Sequence, residues 1–309
     1  MLKYAIILLD NTSTSFCHAD NPNYERELMP IDVLHDAIFW AMRENLMIQF
    51  VYPDYDLPDN MLRAIDSIDH VDIRHMQNAD IIICNGISEL KSFEFSNKSI
   101  ALRTTKDELL KNLDAIVETL KVQSHLSIIV KDIEKMNKDD LDQYAEWLKA
   151  LSDNVCKLYI EGKSPQTNIL TDRMVLESMN NCNAGNESIT IAPNGKFYIC
   201  PAFFYGNPDD SVGSIQNGLD IHNPQLYRID HAPICRNCDA YQCKRCVWLN
   251  RKTTLEVNTP SHEQCVTAHL ERNASKALLT EIRKHGVFLP NKNITEIDYL
   301  DPFDKIINK

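Results

Sequence analysis

The chain has 309 residues, is 44% hydrophobic and 25% charged, and carries a formal net charge of -12. That is enough length for one large domain and a smaller one, each with a core, and the acidic balance argues against nucleic acid, whose binding draws on clustered Lys and Arg. No apolar run approaches the length of a membrane span, and the opening stretch stops at Asp10 without a small-residue cleavage site, so the expectation is a cytoplasmic protein with no membrane partner.

In chain order, short β-branched runs predict strands at 4–9, 48–52, 81–84, 99–102, 126–130 and 157–160. Between them, apolar residues at three- and four-residue intervals predict helices at 30–45, 61–67, 106–121 and 138–152. Alternation of this kind is the signature of an α/β layer with a parallel sheet, read here as a degenerate partial (β/α) barrel or an open wound sheet. Around residue 170 the composition shifts to Cys, Gly, Asn and Pro and the helical periodicity stops. A boundary there gives an α/β domain over 1–172, a small cysteine-rich domain over 173–270, and a C-terminal helix and tail over 271–309. Pro193-Asn194-Gly195 between two short apolar runs predicts a hairpin that brings Cys200 to the end of its second strand. A last helix is predicted from Thr259-Pro260, with Val266, Leu270, Ala274, Leu278 and Ile282 at four-residue spacing as its packing face. Cys265 then lies near that helix's N-terminus, where the dipole favours an anionic sulfur.

Ten cysteines without an export signal point to metal ligation rather than disulfides. Seven of them, Cys182, Cys200, Cys235, Cys238, Cys243, Cys246 and Cys265, fall between 182 and 265, while Cys17, Cys84 and Cys156 stand alone. Two residues between cysteines let a tight turn aim both sulfurs at one centre while backbone amides stabilise their charge. The run Cys235-Arg-Asn-Cys238-Asp-Ala-Tyr-Gln-Cys243-Lys-Arg-Cys246 contains two such pairs. Zinc also takes four-cysteine sites, or three cysteines and a histidine such as His231 or His262, at these spacings.

Cys182, twelve residues, Gly195, four residues and Cys200, together with the strings NGKFYICPA and VGSI, resemble the first half of the SPASM domain that follows the barrel in many peptide-modifying radical SAM enzymes. The second half departs from that pattern, with four residues instead of five between Cys238 and Cys243, and two instead of three between Cys243 and Cys246. The resemblance implies two [4Fe-4S] clusters, the first held by Cys182, Cys200 and Cys246 and the second by Cys235, Cys238, Cys243 and Cys265. Seven thiolates leave one iron to a water, a side chain such as Glu187, or a substrate thiolate. The stretch CKRCVWLNRKTTLEVNTPSHEQCVTAHLERNAS resembles the C-terminal region of the CXXX repeat peptide maturases, which implies a Cys-rich precursor peptide as substrate. A separate modification enzyme or electron donor would be a further partner.

Radical SAM chemistry needs C-x3-C-x2-C after the first strand, and the segment from Asp10 to Asp20 holds Cys17 alone, followed by His18. The Gly-Gly-Glu expected after the second strand is replaced by Val51-Tyr52-Pro53-Asp54-Tyr55-Asp56. Cleavage of S-adenosylmethionine by this chain is therefore not expected, and no catalytic residue is assigned. Cys84 and Cys156 read as buried packing residues, Asp54 and Asp56 as turn residues, and Trp248 and Tyr241 as shields of the cluster from water. The rival readings are a non-catalytic peptide-binding scaffold for a separate maturase and a zinc-stapled interaction module.

Overall fold

Strands form where the apolar runs are short and β-branched, and helices where apolar residues recur at helical spacing. The computed structural model describes residues 2–93, 98–243 and 245–294. Its first part runs β1 (Tyr4–Leu8), α1 (Ile31–Arg43), β2 (Met47–Val51), α2 (Asp59–Ile65), β3 (His70–His75), β4 (Ile81–Asn85), α3 (Ile87–Ser92) and β5 (Ser99–Thr104). There follow α4 (Lys106–Lys111), α5 (Leu113–Val122), β6 (His125–Val130), α6 (Lys138–Ile160), β7 (Gln166–Thr167) and α7 (Asp172–Val175). The remainder is β8 (Ser188–Ile191), β9 (Phe197–Tyr198), α8 (Pro201–Gly206), β10 (Gly213–Ser214), β11 (Gly218–Leu219), α9 (Val247–Thr254) and α10 (His262–Arg283). The architecture is α/β and mainly parallel, as the alternating pattern predicts.

The chain folds as two compact units that interleave along the sequence. The first comprises residues up to Ile83 with Cys182–His231, the second Cys84–Asn181 with the chain from Ala232 onward. In the first unit the sheet order is β4-β3-β2-β1-β8-β9. Every pairing is parallel until β9, which returns antiparallel to β8 through the predicted Pro193-Asn194-Gly195 turn. Gly195 closes that turn with φ of +72° and donates its N–H to Ala192 O at 2.9 Å. Ile7, Phe50, Ile191 and Phe197 are fully buried under α1, whose Trp40 lies 4.6 Å from the Phe197 ring. Burial of each such side chain is worth about 1.5–3 kcal/mol, so this stack fixes the register of β8 and β9.

The VGSI string forms the start of a small antiparallel hairpin, β10 with β11. Gly213 there has φ of +110°, and a Cβ would stand 2.1 Å from Gly218 O. Gly213→Ala is expected to lower stability by more than about 1 kcal/mol, since no flexible side chain is available to yield. A thermal melt compared with that of Gly218→Ala, where a Cβ meets nothing within 4 Å, checks this.

In the second unit β5, β6 and β7 are parallel neighbours, and α6 packs along α10. Several sequence expectations shift here. The segment 157–160 is not a strand but the last turn of α6, because Leu148, Leu151, Val155 and Leu158 continue one buried helical face through it. Cys156 is consequently a helix residue. The helix predicted over 106–121 breaks at Asn112, whose φ of -128° and ψ of 43° separate α4 from α5. Strand β3 went unseen because His70, Asp72 and Arg74 alternate with apolar residues that are only partly covered, Ile73 alone being buried. Helices α8 and α9 are each too short to show a period. The last helix starts two residues later than predicted: Ser261, not Thr259, is its N-cap, in a reciprocal capping box with Gln264. The predicted tail beyond 294 lies outside the described residues.

Candidate metal centre

The segment from Ala232 to Cys246 has no regular helix or strand among its described residues, and side-chain and turn bonds hold it. Cys238 N–H donates to Cys235 O at 3.1 Å, which closes the first C-x2-C turn, and Ala240 N–H then donates to Cys238 Sγ at 3.4 Å. This is the amide-to-sulfur arrangement that stabilises thiolate charge. Cys243 Sγ lies 3.5 Å from Met179 Sδ. Cys265 enters from the first turn of α10, one residue after the capping Gln264.

Together Cys235, Cys238, Cys243 and Cys265 line one hollow, walled further by Met179, Arg245, Pro260, Ala268 and His269. All of these residues belong to the second unit. Burial pushes the Cys235 thiol up to about 12, with the neighbouring Cys243 and Cys238 adding to the rise and Arg245 opposing it. Cys238 is pushed up to about 11, again first by burial, against the lowering effect of the Ala240 amide. Such a set of crowded, desolvated thiols is suited to a cationic centre that takes the place of their protons.

Among the described residues no three His, Cys, Asp or Glu side chains converge tightly enough to hold a single ion. Tetrahedral zinc with bonds of about 2.3 Å draws its sulfurs to within about 3.8 Å of one another.

Two ion pairs, one buried and one partly buried, hold the cysteine segment. Arg272 Nε donates to Asp239 Oδ1 at 3.0 Å and to Oδ2 at 2.9 Å, tying the residue after Cys238 to α10. One residue earlier on that helix, the fully buried Glu271 accepts from Tyr144 Oη at 2.7 Å and from Arg173 Nη2 at 2.9 Å. Arg173 also donates to Gln242 O and Ala268 O, both at 3.3 Å. Asn180 N–H donates to Tyr241 O at 2.6 Å, so residues 239–242 are fastened from α10 and from the 173–180 segment. Sequence reasoning missed His269, Met179 and these ion pairs. The four-residue step from Cys265 to His269 was the one available signal, because it puts both on one helix face.

The other predicted site residues are placed as follows. Cys182 is exposed and Cys200 buried, both in the first unit, and Cys246 in the second unit is the residue that precedes α9. Ser188 Oγ donates to Cys182 O at 3.1 Å, and Cys200 precedes α8, whose first residue is Pro201. Glu187 is engaged by Lys3 Nζ at 2.6 Å, which holds its carboxyl below the usual range. His231 lies 3.9 Å from Asp230, and His262 lies 3.6 Å from Glu263. Trp248 carries Lys252 over its ring at 5.2 Å, and Tyr241 lines a separate cavity with Arg173 and Asp239. Cys84 and Cys156 are buried, the former with its thiol pushed up to about 12 by desolvation. Asp54 pairs with His75 at 3.2 Å and Asp56 is exposed.

The loop after β1 is closed on itself by polar bonds. Asp10, fully buried, accepts from Thr12 N–H at 2.7 Å and from Tyr55 Oη at 2.7 Å. Ser13 Oγ donates to Val51 O at 2.8 Å, Ser15 Oγ to Ala19 O at 2.5 Å, and Cys17 Sγ lies 3.7 Å from Ser15 Oγ. No helix among the described residues is long and apolar enough to cross a membrane.

No protein-family model and no curated protein matches the chain. Solved structures do. Histidine-tagged anSMEcpe with bound AdoMet superposes at a TM-score of 0.63 with 12% identity, over 93% of this chain and 97% of that one. Native anSMEcpe with bound AdoMet and Cp18Cys peptide gives 0.60 and 12% over 91% and 99%, and the corresponding complex with Kp18Cys peptide gives 0.62 and 12% over 91% and 99%. At that identity the likeness shows the fold alone: this chain shares the fold of those AdoMet-bound structures.

Proposed function

We propose that this chain takes part in maturing a ribosomally made, Cys-rich peptide of the CXXX repeat type, and that its seven clustered cysteines hold two [4Fe-4S] clusters. One observation carries the reading: Cys235, Cys238, Cys243 and Cys265, the set assigned to the second cluster from sequence resemblance, line a single hollow. Cys182, Cys200 and Cys246 would hold the first cluster, and its remaining position is left for a peptide thiolate. Glu187 is a poor rival for it, being already bound by Lys3. A cluster, when bound, supplies one-electron capacity and, at an iron lacking a protein ligand, a coordination position. The chain's own residues present amides to the sulfurs, as Ala240 does, exclude water through Met179 and Ala268, and fix the cysteine segment through Asp239 and Arg272.

The solved structures of the same fold that carry AdoMet and a peptide lend the peptide reading support. In this chain the loop after β1 offers Cys17 alone, within a network of local hydrogen bonds. Cleavage of S-adenosylmethionine therefore belongs to a separate enzyme, if the maturation uses it, and this chain binds the peptide and relays electrons.

Anaerobic isolation with metal analysis tests the reading. Two cubanes give about eight irons and about eight sulfides per chain and a brown protein; a colourless protein with stoichiometric zinc and no iron overturns it. A CXXX repeat peptide should bind, and should perturb the visible spectrum through its thiols. If Cys-to-Ser peptides bind equally and leave the spectrum unaltered, thiolate anchoring is wrong, and tight binding without turnover supports the scaffold reading.

A further inference from the structure

His269 is a member of the metal hollow that the sequence reading did not include. It lies one helical turn beyond Cys265 on the same face of α10, it lines the hollow with the four cysteines, and its Nε2 stands 3.7 Å from Cys238 Sγ. The placement is over-determined. Three residues further along α10, Arg272 grips Asp239, the residue after Cys238, through both carboxylate oxygens. Glu271 anchors the same turn to Arg173 and Tyr144. Helix and cysteine turn thus move together, and the imidazole stays against this one sulfur.

Resting on the iron-sulfur reading above, we propose that His269 donates its Nε2–H to the Cys238 sulfur and so raises the reduction potential of the cluster held by Cys235, Cys238, Cys243 and Cys265. Once Cys238 is a thiolate ligand its sulfur has no proton to give, so the hydrogen bond runs from nitrogen to sulfur. Its other close donor is the Ala240 amide at 3.4 Å. Two donors on one sulfur stabilise the more negative, reduced cluster over the oxidised one, which is how hydrogen bonds to sulfur set potentials. A role for His269 as an iron ligand fits the geometry less well. Ligands on separate irons of a cubane stand further apart than 3.7 Å, and four cysteines already serve the four corners.

The test uses the full chain, loaded anaerobically, as wild type, His269→Phe, His269→Gln and His262→Phe, with dithionite as reductant and electron paramagnetic resonance as the readout. His269→Phe is expected to keep the wild-type iron and sulfide content and to move one of the reduction waves to a more negative potential. His269→Gln, which keeps an N–H donor, should move it less, and His262→Phe, whose side chain lines a different cavity, should leave it in place. An unchanged wave in iron-loaded His269→Phe overturns the inference alone, as does loss of one iron per cluster in that variant, which would make the imidazole a ligand. Wild-type protein with zinc and no iron overturns the iron-sulfur reading and this inference with it.

Discussion

Cys238→Ala is expected to lose most of the metal of the hollow and to melt well below the wild type. Cys238 is the hinge of the site: its N–H closes the C-x2-C turn, its sulfur takes the Ala240 amide, and its neighbour Asp239 is bound to Arg272. Without a metal, the hollow leaves three crowded thiols, at least one of them buried with its proton held to about 12, and no cation to draw the segment together. Structural metal sites supply about 10–16 kcal/mol of folding free energy in small zinc domains, and losing one of four ligands removes a sizeable part of that. A loss on the order of 5 kcal/mol corresponds to about 10–20 °C in Tm for a unit of this size. Iron and sulfide analysis with a thermal melt under anaerobic conditions measures both. Cys156→Ala is the control: that residue is buried on α6, away from the four-cysteine set, and should retain full metal content. Equal metal in Cys238→Ala and wild type would remove this cysteine from the ligand set.

The strands and helices that the sequence announced are those whose side chains obey one rule at a time. β1, β2 and β6 are short β-branched runs, α1 has a clean apolar face, and the Pro193-Asn194-Gly195 turn needs its left-handed glycine, so each was legible. α10 was legible as a helix, but its buried face was misread. Of the predicted packing stripe Leu278 and Ile282 are buried, but Val266, Leu270 and Ala274 are only partly covered, whereas Gln264, Thr267, Glu271, Arg272 and Ser275 are buried. A hydropathy pattern cannot announce a buried polar face, because all of those groups but Thr267, which bonds its own helix, are matched by a partner distant in sequence: Asn250 for Gln264, Tyr144 and Arg173 for Glu271, Asp239 for Arg272, Leu170 O for Ser275. The candidate site shows the same division. Its cysteines could be read from spacing and resemblance, since thiol chemistry leaves a local signature, while His269 and Met179 reach the hollow only through the packing of α10 and of the segment after α7.

The buried Glu271 makes the second large effect. Glu271→Ala strips the counterion from an Arg173 side chain that is 2% exposed and removes the acceptor of the Tyr144 hydroxyl. Breaking one member of such a pair costs about 3–5 kcal/mol, because the remaining charge stays desolvated. Arg173 still has Gln242 O and Ala268 O as acceptors, which places the expected loss toward the lower end of that range. The double change Arg173→Met with Glu271→Leu, which leaves no orphaned charge but still strips the Tyr144 hydroxyl of its acceptor, should recover part of it, as replacing a whole buried pair by apolar groups is often neutral or better. Denaturant midpoints at matched iron content separate the two cases. The double variant carries a second consequence. Arg173 is also the clamp on Gln242 O, next to Cys243, so stability and metal retention need not recover together. A double variant that is as stable as wild type yet releases iron faster to a chelator would show that this ion pair is kept for the geometry of the cysteine segment rather than for the stability of the fold. Equal stability and equal iron release would assign it to packing alone.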